Sequence, residues 1–232
     1  MDYSFSPLGD QAIIIEVGNE INEETHNRIR AITSLLETDP PQWMIEFIPA
    51  FTTVSFGYNA QHITYEKAKS ELTALLKKAS TIKIPQPRTI EIPVCYGGEY
   101  GPDLEFVAQH NGLSTEEAIR IHTSGTYTVH MIGFAPGFPY LGGMSQKIAA
   151  PRRESPRAQI PVRSVGIAGN QTGVYPISTP GGWQLIGRTP LRLFLPDQEI
   201  PSLLRMGDSV IFRQISEEDY QEMEGNENAD DT

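Results

Sequence analysis

The run Gln159-Ile160-Pro161-Val162-Arg163-Ser164-Val165-Gly166-Ile167-Ala168-Gly169-Asn170-Gln171-Thr172-Gly173-Val174-Tyr175-Pro176-Ile177-Ser178-Thr179-Pro180-Gly181-Gly182-Trp183-Gln184-Leu185-Ile186-Gly187 decides the fold class. Short pieces at Gln159 to Val162, Val165 to Ala168, Gly173 to Pro176 and Gln184 to Gly187 alternate with Gly and Pro turns, the spacing of strands rather than helices. Outward from it, Tyr127 to Phe134, Leu191 to Phe194 and Ser209 to Arg213 repeat the pattern. Of 20 Gly and 18 Pro, 16 and 14 lie between residues 85 and 216, so this half reads as a mainly-β barrel or sandwich, between which pattern alone does not choose. Thr89 to Cys95 adds a strand and Asp103 to His110 a helix closed by Asn111-Gly112. Ser114-Thr115-Glu116-Glu117 is a capping box that opens another helix.

The first half is built differently. Tyr3 to Ser6 and Ala12 to Val17 read as strands, and Asn22 caps a helix whose Ile29, Ile32 and Leu36 share a face. Trp43 to Ile48 and Thr52 to Tyr58 read as two more strands. Thr64 opens a second amphipathic helix through Tyr65, Ala68, Leu72, Leu76 and Ala79. The order β-β-α-β-β-α predicts an α+β N-terminal domain over 1–84, one antiparallel sheet covered on one face by two helices. Ser80 to Arg88, with Pro85 and Pro87, reads as a stiff connector, and the β domain spans 85–216. Residues 217–232 carry eight acids, no bases and no aliphatic periodicity, which predicts a disordered tail.

The formal charge of −11 comes mostly from that tail, and it speaks against a generic nucleic-acid binder. No run approaches the roughly 20 apolar residues that span a bilayer, and the N-terminus lacks a signal peptide's charged and apolar regions. A lone Cys95 fits a reducing compartment, so a cytoplasmic location is expected. One Cys and five scattered His offer no zinc motif and no expected metal.

Three segments carry candidate chemistry. Alternation places Thr128, His130, Ile132 and Phe134 on one strand face, with His130 leading into an aromatic loop, Gly137-Phe138-Pro139-Tyr140, that reads either as a tight turn or as a pocket wall. Phe138-Pro139 is a bond where a cis peptide is admissible. Lys147, Arg152, Arg153, Arg157 and Arg163 against Glu154 alone give a local charge of +4. Such a cluster presents forked donors to a carboxylate or phosphate, or is simply a solvated basic loop. The segment from Gly169 to Pro190 brings amide, hydroxyl, Tyr and Trp groups among glycines, but neither the phosphate-loop nor the dinucleotide-binding glycine pattern nor a nucleophile elbow. Ser178 and Thr179 would be nucleophiles only beside a base.

GFAPGFPYLGG, PRRESPR and AGNQTGVYPISTPGGWQLIGRTP together resemble the family of the 5-oxoprolinase B-subunit, also called KipI or allophanate hydrolase subunit 1-like proteins. The likeness runs from Tyr3-Ser4-Phe5-Ser6-Pro7-Leu8-Gly9-Asp10-Gln11-Ala12 to the acidic tail, which lies outside it. The resemblance implies a small α/β domain followed by a cyclophilin-like β-barrel. It implies that such a chain works with 5-oxoprolinase subunits C and A in the ATP-dependent opening of 5-oxo-L-proline to L-glutamate. Alternatively, it inhibits autophosphorylation of a sporulation histidine kinase by docking on its dimerisation and phosphotransfer helices. In the first case a lactam, a poor electrophile, is activated by conversion of its carbonyl oxygen to a phosphate ester before water attacks. His130 is then the candidate for proton transfer and Arg153 for charge stabilisation, Arg152 and Arg157 for holding an anion, and Gln171, Tyr175 and Trp183 for orienting the ring. Phe138 and Tyr140 are the candidate partner-docking residues. Whether ATP touches this chain is left open, and a cyclophilin-like shape does not by itself imply prolyl isomerisation.

One position departs from the resemblance, because Pro161-Val162-Arg163-Ser164-Val165 stands where the family reads Pro-Ala-Gly-Ser-Val. If that position has positive φ, Arg163 costs on the order of 1 kcal/mol. If glycine there admits substrate, a long cation fills the gap.

Overall fold

The computed structural model describes residues 3–229. The chain divides into two compact units that meet between Gln86 and Pro87.

In the first unit, β1 (Ser4–Pro7), β2 (Ala12–Glu16), α1 (Glu23–Thr38), β3 (Met44–Pro49), β4 (Thr53–Tyr58) and α2 (Tyr65–Ala79) follow in the expected order. The antiparallel sheet runs β1-β2-β4-β3. Alternation buries Ile13 and Ile15 on β2 and Val54, Phe56 and Tyr58 on β4, and the helices close that face with Ile29, Ile32, Leu36, Ala68, Leu72 and Leu76. Both helices start where local chemistry predicts: Asn22 Oδ1 accepts from Thr25 N at 2.9 Å and Thr64 Oγ1 from Lys67 N at 3.4 Å. Beyond α2, Arg30 Nη2 donates to Pro85 O at 2.6 Å and ties the connector to α1.

The second unit is a barrel, not a sandwich. Seven strands close in the order β10-β7-β6-β13-β5-β12-β9, where β5 is Thr89–Tyr96, β6 Thr126–Ile132, β7 Pro139–Gly142, β9 Ser164–Ala168, β10 Gln171–Val174, β12 Gln184–Arg188 and β13 Ser209–Gln214. Closure depends on the parallel pair β5 and β13, in register from Thr89 with Ser209 to Val94 with Gln214. Just before both strands Arg88 is ion-paired to Asp208, with Nε at 2.9 Å from Oδ1, so the register is pinned at its start. Ile92, Val94, Tyr127, Val129, Val165, Ile167, Val174 and Phe212 fill the interior. Two helices, α3 (Leu104–His110) and α4 (Thr115–Thr123), pack on the barrel. The expected capping box of α4 is complete, with Ser114 N donating to Glu117 Oε2 at 2.9 Å and Glu117 N to Ser114 Oγ at 3.2 Å. A separate two-stranded sheet pairs β8 (Arg157–Ile160) with β11 (Thr179–Gly181).

The β unit departs from the sequence reading in three places. Leu191 to Phe194 forms no strand and contributes one bridge, Phe194 to Ser202, while in the Gly137–Tyr140 stretch, read as a tight turn or a pocket wall, Pro139 and Tyr140 belong to β7. The described peptide bonds are all trans, Phe138-Pro139 included. The expected alternation on β6 also breaks. A bulge between Val129 and Met131 shifts its register against β7, so Ile132 packs on the same core as Tyr127 and Val129 while His130 lies outside it, against Gly142.

The acidic tail is the largest departure. Residues Glu217–Ala229 form α5, started by Ser216 and Asp219, with Asp219 N donating to Ser216 Oγ at 3.0 Å and Ser216 N to Asp219 Oδ2 at 3.2 Å. Tyr220 is only 2% exposed and packs against Tyr100, the two rings tilted with centroids 4.6 Å apart, beside Cys95 and Ile215. Glu224 pairs with Arg163 and accepts from the Tyr220 hydroxyl at 3.1 Å. One buried phenol and one ion pair order a segment whose composition alone reads as disordered, because composition does not register a single docking residue. The end of the expected tail, residues 230–232, lies outside the described residues.

Candidate anion site on the barrel wall

Gly166 on β9 and Gly173 on β10 sit opposite each other in register. Their neighbours Val165, Ile167 and Val174 point inward, so the two glycines leave a bare patch on the outer wall. Trp183 and Phe138 pack onto it, and a Cβ at Gly173 would come within 3.1 Å of both rings. Ile160 of β8, Tyr175 and Leu185 complete this second apolar layer between the barrel and the β8–β11 sheet. Phe138 meets Tyr175 at 5.2 Å, Tyr140 at 5.1 Å and Trp183 at 5.5 Å, edge to face in each case.

Phe138 and Trp183 are therefore buried, and the expected docking role of Phe138 is corrected: its ring is interior, with only Tyr140 half-buried at the edge. The exposed aromatic is Phe134, 63% exposed and edge-on to Phe138 at 5.5 Å and Tyr175 at 6.4 Å. Ala135 N donates to Gly133 O at 2.8 Å, so Phe134 is the central residue of a three-residue turn with φ of 67°. That conformation is strained for a bulky side chain.

The arginines gather around an acid that the sequence reading passes over. Asp103 precedes α3 but makes no side-chain cap hydrogen bond. Its Oδ1 accepts from Arg153 Nη1 at 3.1 Å and Arg157 Nη2 at 2.8 Å, and its Oδ2 from Leu185 N at 2.7 Å. Gly101 makes the approach to β12 feasible, since a Cβ there would lie 2.0 Å from Ile186 O. Two guanidinium groups on one carboxylate leave a net positive charge. Arg153 Nε and Arg157 Nη1 are buried without hydrogen-bond partners, as is Thr179 Oγ1 on β11. Unmet buried donors beside excess positive charge suit one carboxylate or phosphate group.

Burial pushes the Tyr175 hydroxyl up to about 12, opposed by a backbone hydrogen bond from Trp183 and by the charges of Arg152 and Arg157. It remains a neutral donor at physiological pH. Arg152 is exposed, and Gln171 lies on the outer wall opposite Ala168, at the margin of the aromatic layer. His130 lies on β6 against Gly142 of the adjacent β7, and burial holds its imidazole below the usual histidine range. The expected charge of +4 is likewise dispersed, with Arg153 and Arg157 shared by Asp103 and Arg163 paired to Glu224. Arg163 does have the positive φ that glycine accommodates, 67°. Its Nη1 donates to Pro190 O at 2.9 Å, so contacts of the guanidinium offset the backbone cost. Among the described residues no group of three or more His, Cys, Asp or Glu is placed to hold a metal ion.

A second polar chain is sealed inside the barrel. Thr172 Oγ1 donates to Gly166 O at 3.1 Å, so it accepts from His122 Nε2 at 2.9 Å, and His122 Nδ1 accepts from the Tyr96 hydroxyl at 2.7 Å. Burial lowers His122 to about 3, so it is neutral when folded. Its folded pKa lies below the unfolded value near 6.5, and between the two the unfolded chain binds the extra proton. This contribution to stability is complete above pH 6.5 and is lost as pH falls toward 3, at up to about 1.4 kcal/mol per pH unit. Denaturant unfolding between about pH 6.5 and 5 is expected to show that decline, and His122→Asn to flatten it; equal slopes would remove His122 as its source.

The family described as carboxyltransferase domain, subdomain C and D, matches residues 3–204. The chain belongs to this family. Among its carboxyltransferase C/D relatives, a 5-oxoprolinase B-subunit of Bacillus subtilis (strain 168) is 52% identical over 228 residues, covering 94% of this chain and 95% of the relative. A 5-oxoprolinase B-subunit of Escherichia coli O157:H7 is 42% identical over 205 residues, covering 88% and 93%. The crystal structure of TTHA0988 superimposes with a TM-score of 0.79 at 33% identity over 89% of this chain. The chain spans 40% of the length of that protein. No helix among the described residues is long and apolar enough to cross a membrane.

Proposed function

We propose that this chain is the B-subunit of a multi-subunit, ATP-dependent 5-oxoprolinase that opens 5-oxo-L-proline to L-glutamate together with subunits A and C. The observation that carries the reading is near full-length 52% identity to a protein named as the 5-oxoprolinase B-subunit. The site chemistry supports it. A 5-oxoproline carboxylate would take the free donors of Arg153 and Arg157, its ring would lie against the exposed Phe134, and the protonated Tyr175 hydroxyl would donate to the lactam carbonyl oxygen.

ATP would supply the phosphoryl group that activates the lactam oxygen. The arginine pair fits one anionic group, while the segments around it carry no glycine-rich phosphate loop, so ATP is assigned to the assembled complex. The match to part of a longer polypeptide fits a chain that works beside partner modules. The kinase-inhibitor reading draws on docking through Phe138 and Tyr140, and burial of the Phe138 ring weakens it.

Glutamate formation from 5-oxoproline and ATP, assayed with and without the companion subunits, tests the proposal. Activity is expected only in the full assembly. Turnover by this chain alone would remove the need for partners. An inactive assembly, with inhibition of histidine-kinase autophosphorylation in a parallel assay, would replace the enzyme reading by the inhibitor reading.

A further inference from the structure

The first unit carries a cavity of about 270 Å³, independent of the arginine site and of the oxoprolinase reading. Its walls come from three places in the chain: Tyr3 ahead of β1, one face of α1, and the end of α2 with the residues that follow it. Ala31, Ala79, Ile82 and Ile84 make one side apolar.

The other side holds two opposite charges, Glu24 and Arg28, four residues apart on α1. At that spacing Cβ atoms are about 5–6 Å apart and an acid followed by a base ordinarily pairs. Here the guanidinium turns instead onto the Tyr3 ring, 5.1 Å from its centroid, and its Nε is buried without a hydrogen-bond partner. Asn27, between them in sequence, lines the same cavity, as does Ser80, whose hydroxyl is committed to Lys77 O at 2.8 Å. A simple anion in this space would meet Glu24 and a simple cation would meet Arg28. A molecule that carries both charges and a short apolar body satisfies every wall.

We propose that this cavity binds a free α-amino acid with a short aliphatic side chain. The carboxylate is held by Arg28 and Asn27, the ammonium by Glu24, and the side chain by Ala31, Ala79, Ile82 and Ile84. Because Ile82 and Ile84 belong to the segment that leads out of the first unit, occupancy also stiffens that segment.

The test is a titration of the full chain, labelled at isoleucine and alanine methyl groups, with L-leucine. Two analogues each lack one charge, 4-methylpentanoate and 3-methylbutylamine. Saturable shifts at Ile82 and Ile84 are expected with L-leucine, with binding at least about tenfold weaker for either analogue. Arg28→Gln and Glu24→Gln should each abolish the shifts while leaving the remaining spectrum in place. No saturation with L-leucine, or equal binding by either analogue, would overturn the proposal, and the analogue comparison needs no variant to fold.

Discussion

Asp103→Ala is expected to lower the unfolding free energy by about 3 kcal/mol, measured by denaturant unfolding at neutral pH. The carboxylate accepts three hydrogen bonds, two from arginines and one from the backbone of β12, and is itself 6% exposed. Removing it strands the Leu185 N–H and leaves two guanidinium groups facing each other without a counter-charge. Breaking a buried pair costs about 3–5 kcal/mol. The lower end applies because the Arg153 side chain is 37% exposed and water screens part of its charge. Asp103→Asn keeps acceptor oxygen but no charge, so an intermediate loss is expected. An unchanged unfolding midpoint in Asp103→Ala would show that the arginines do not depend on this residue.

Arg157→Ala in the reconstituted complex is expected to reduce turnover about 100-fold, and Arg153→Ala at least about tenfold, in the range found when a charge-stabilising donor is removed. The order follows from geometry. Arg157 is 21% exposed at its side chain against 37% for Arg153, and its contact to Asp103 is shorter, 2.8 against 3.1 Å. A less solvated, better fixed donor contributes more to holding an anion. Arg157→Lys should not restore turnover, since an ammonium lacks the planar fork that reaches Asp103 and a ligand together. Steady-state assays on complexes of matched composition decide it, and unchanged turnover would remove that arginine from the site.

Local chemistry made much of this legible. Asn22, Thr64 and Ser114 start helices through contacts within three residues, and alternation marks β2 and β4, because caps and pleats depend on near neighbours. The cluster from Lys147 to Arg163 reads equally as an anion site or a solvated basic loop, and the fold places two of its arginines, Arg153 and Arg157, on Asp103. Asp103 itself was not legible, because a residue that reads as a helix start lies 50 and 54 positions from the arginines it holds. Its one local anomaly, the missing cap hydrogen bond, is visible only in the folded chain. His130 was misplaced because a single bulge breaks period-two alternation, and nothing in the local residues announces it.

By itself, the sequence determined the succession of elements, the contrast between an α+β first unit and a glycine- and proline-rich β unit, and the presence of cationic and aromatic groups in one stretch. Those features rest on short-range sterics and hydrogen bonding. Only the tertiary structure decided that the strands close into a barrel, that Phe138 and Trp183 are interior while Phe134 is exposed, that Asp103 gathers two arginines, and that α5 docks through Tyr220 and Glu224. Each of those outcomes is a long-range pairing, set by which surfaces exclude water together and which charges share a carboxylate, and none is encoded in neighbouring residues.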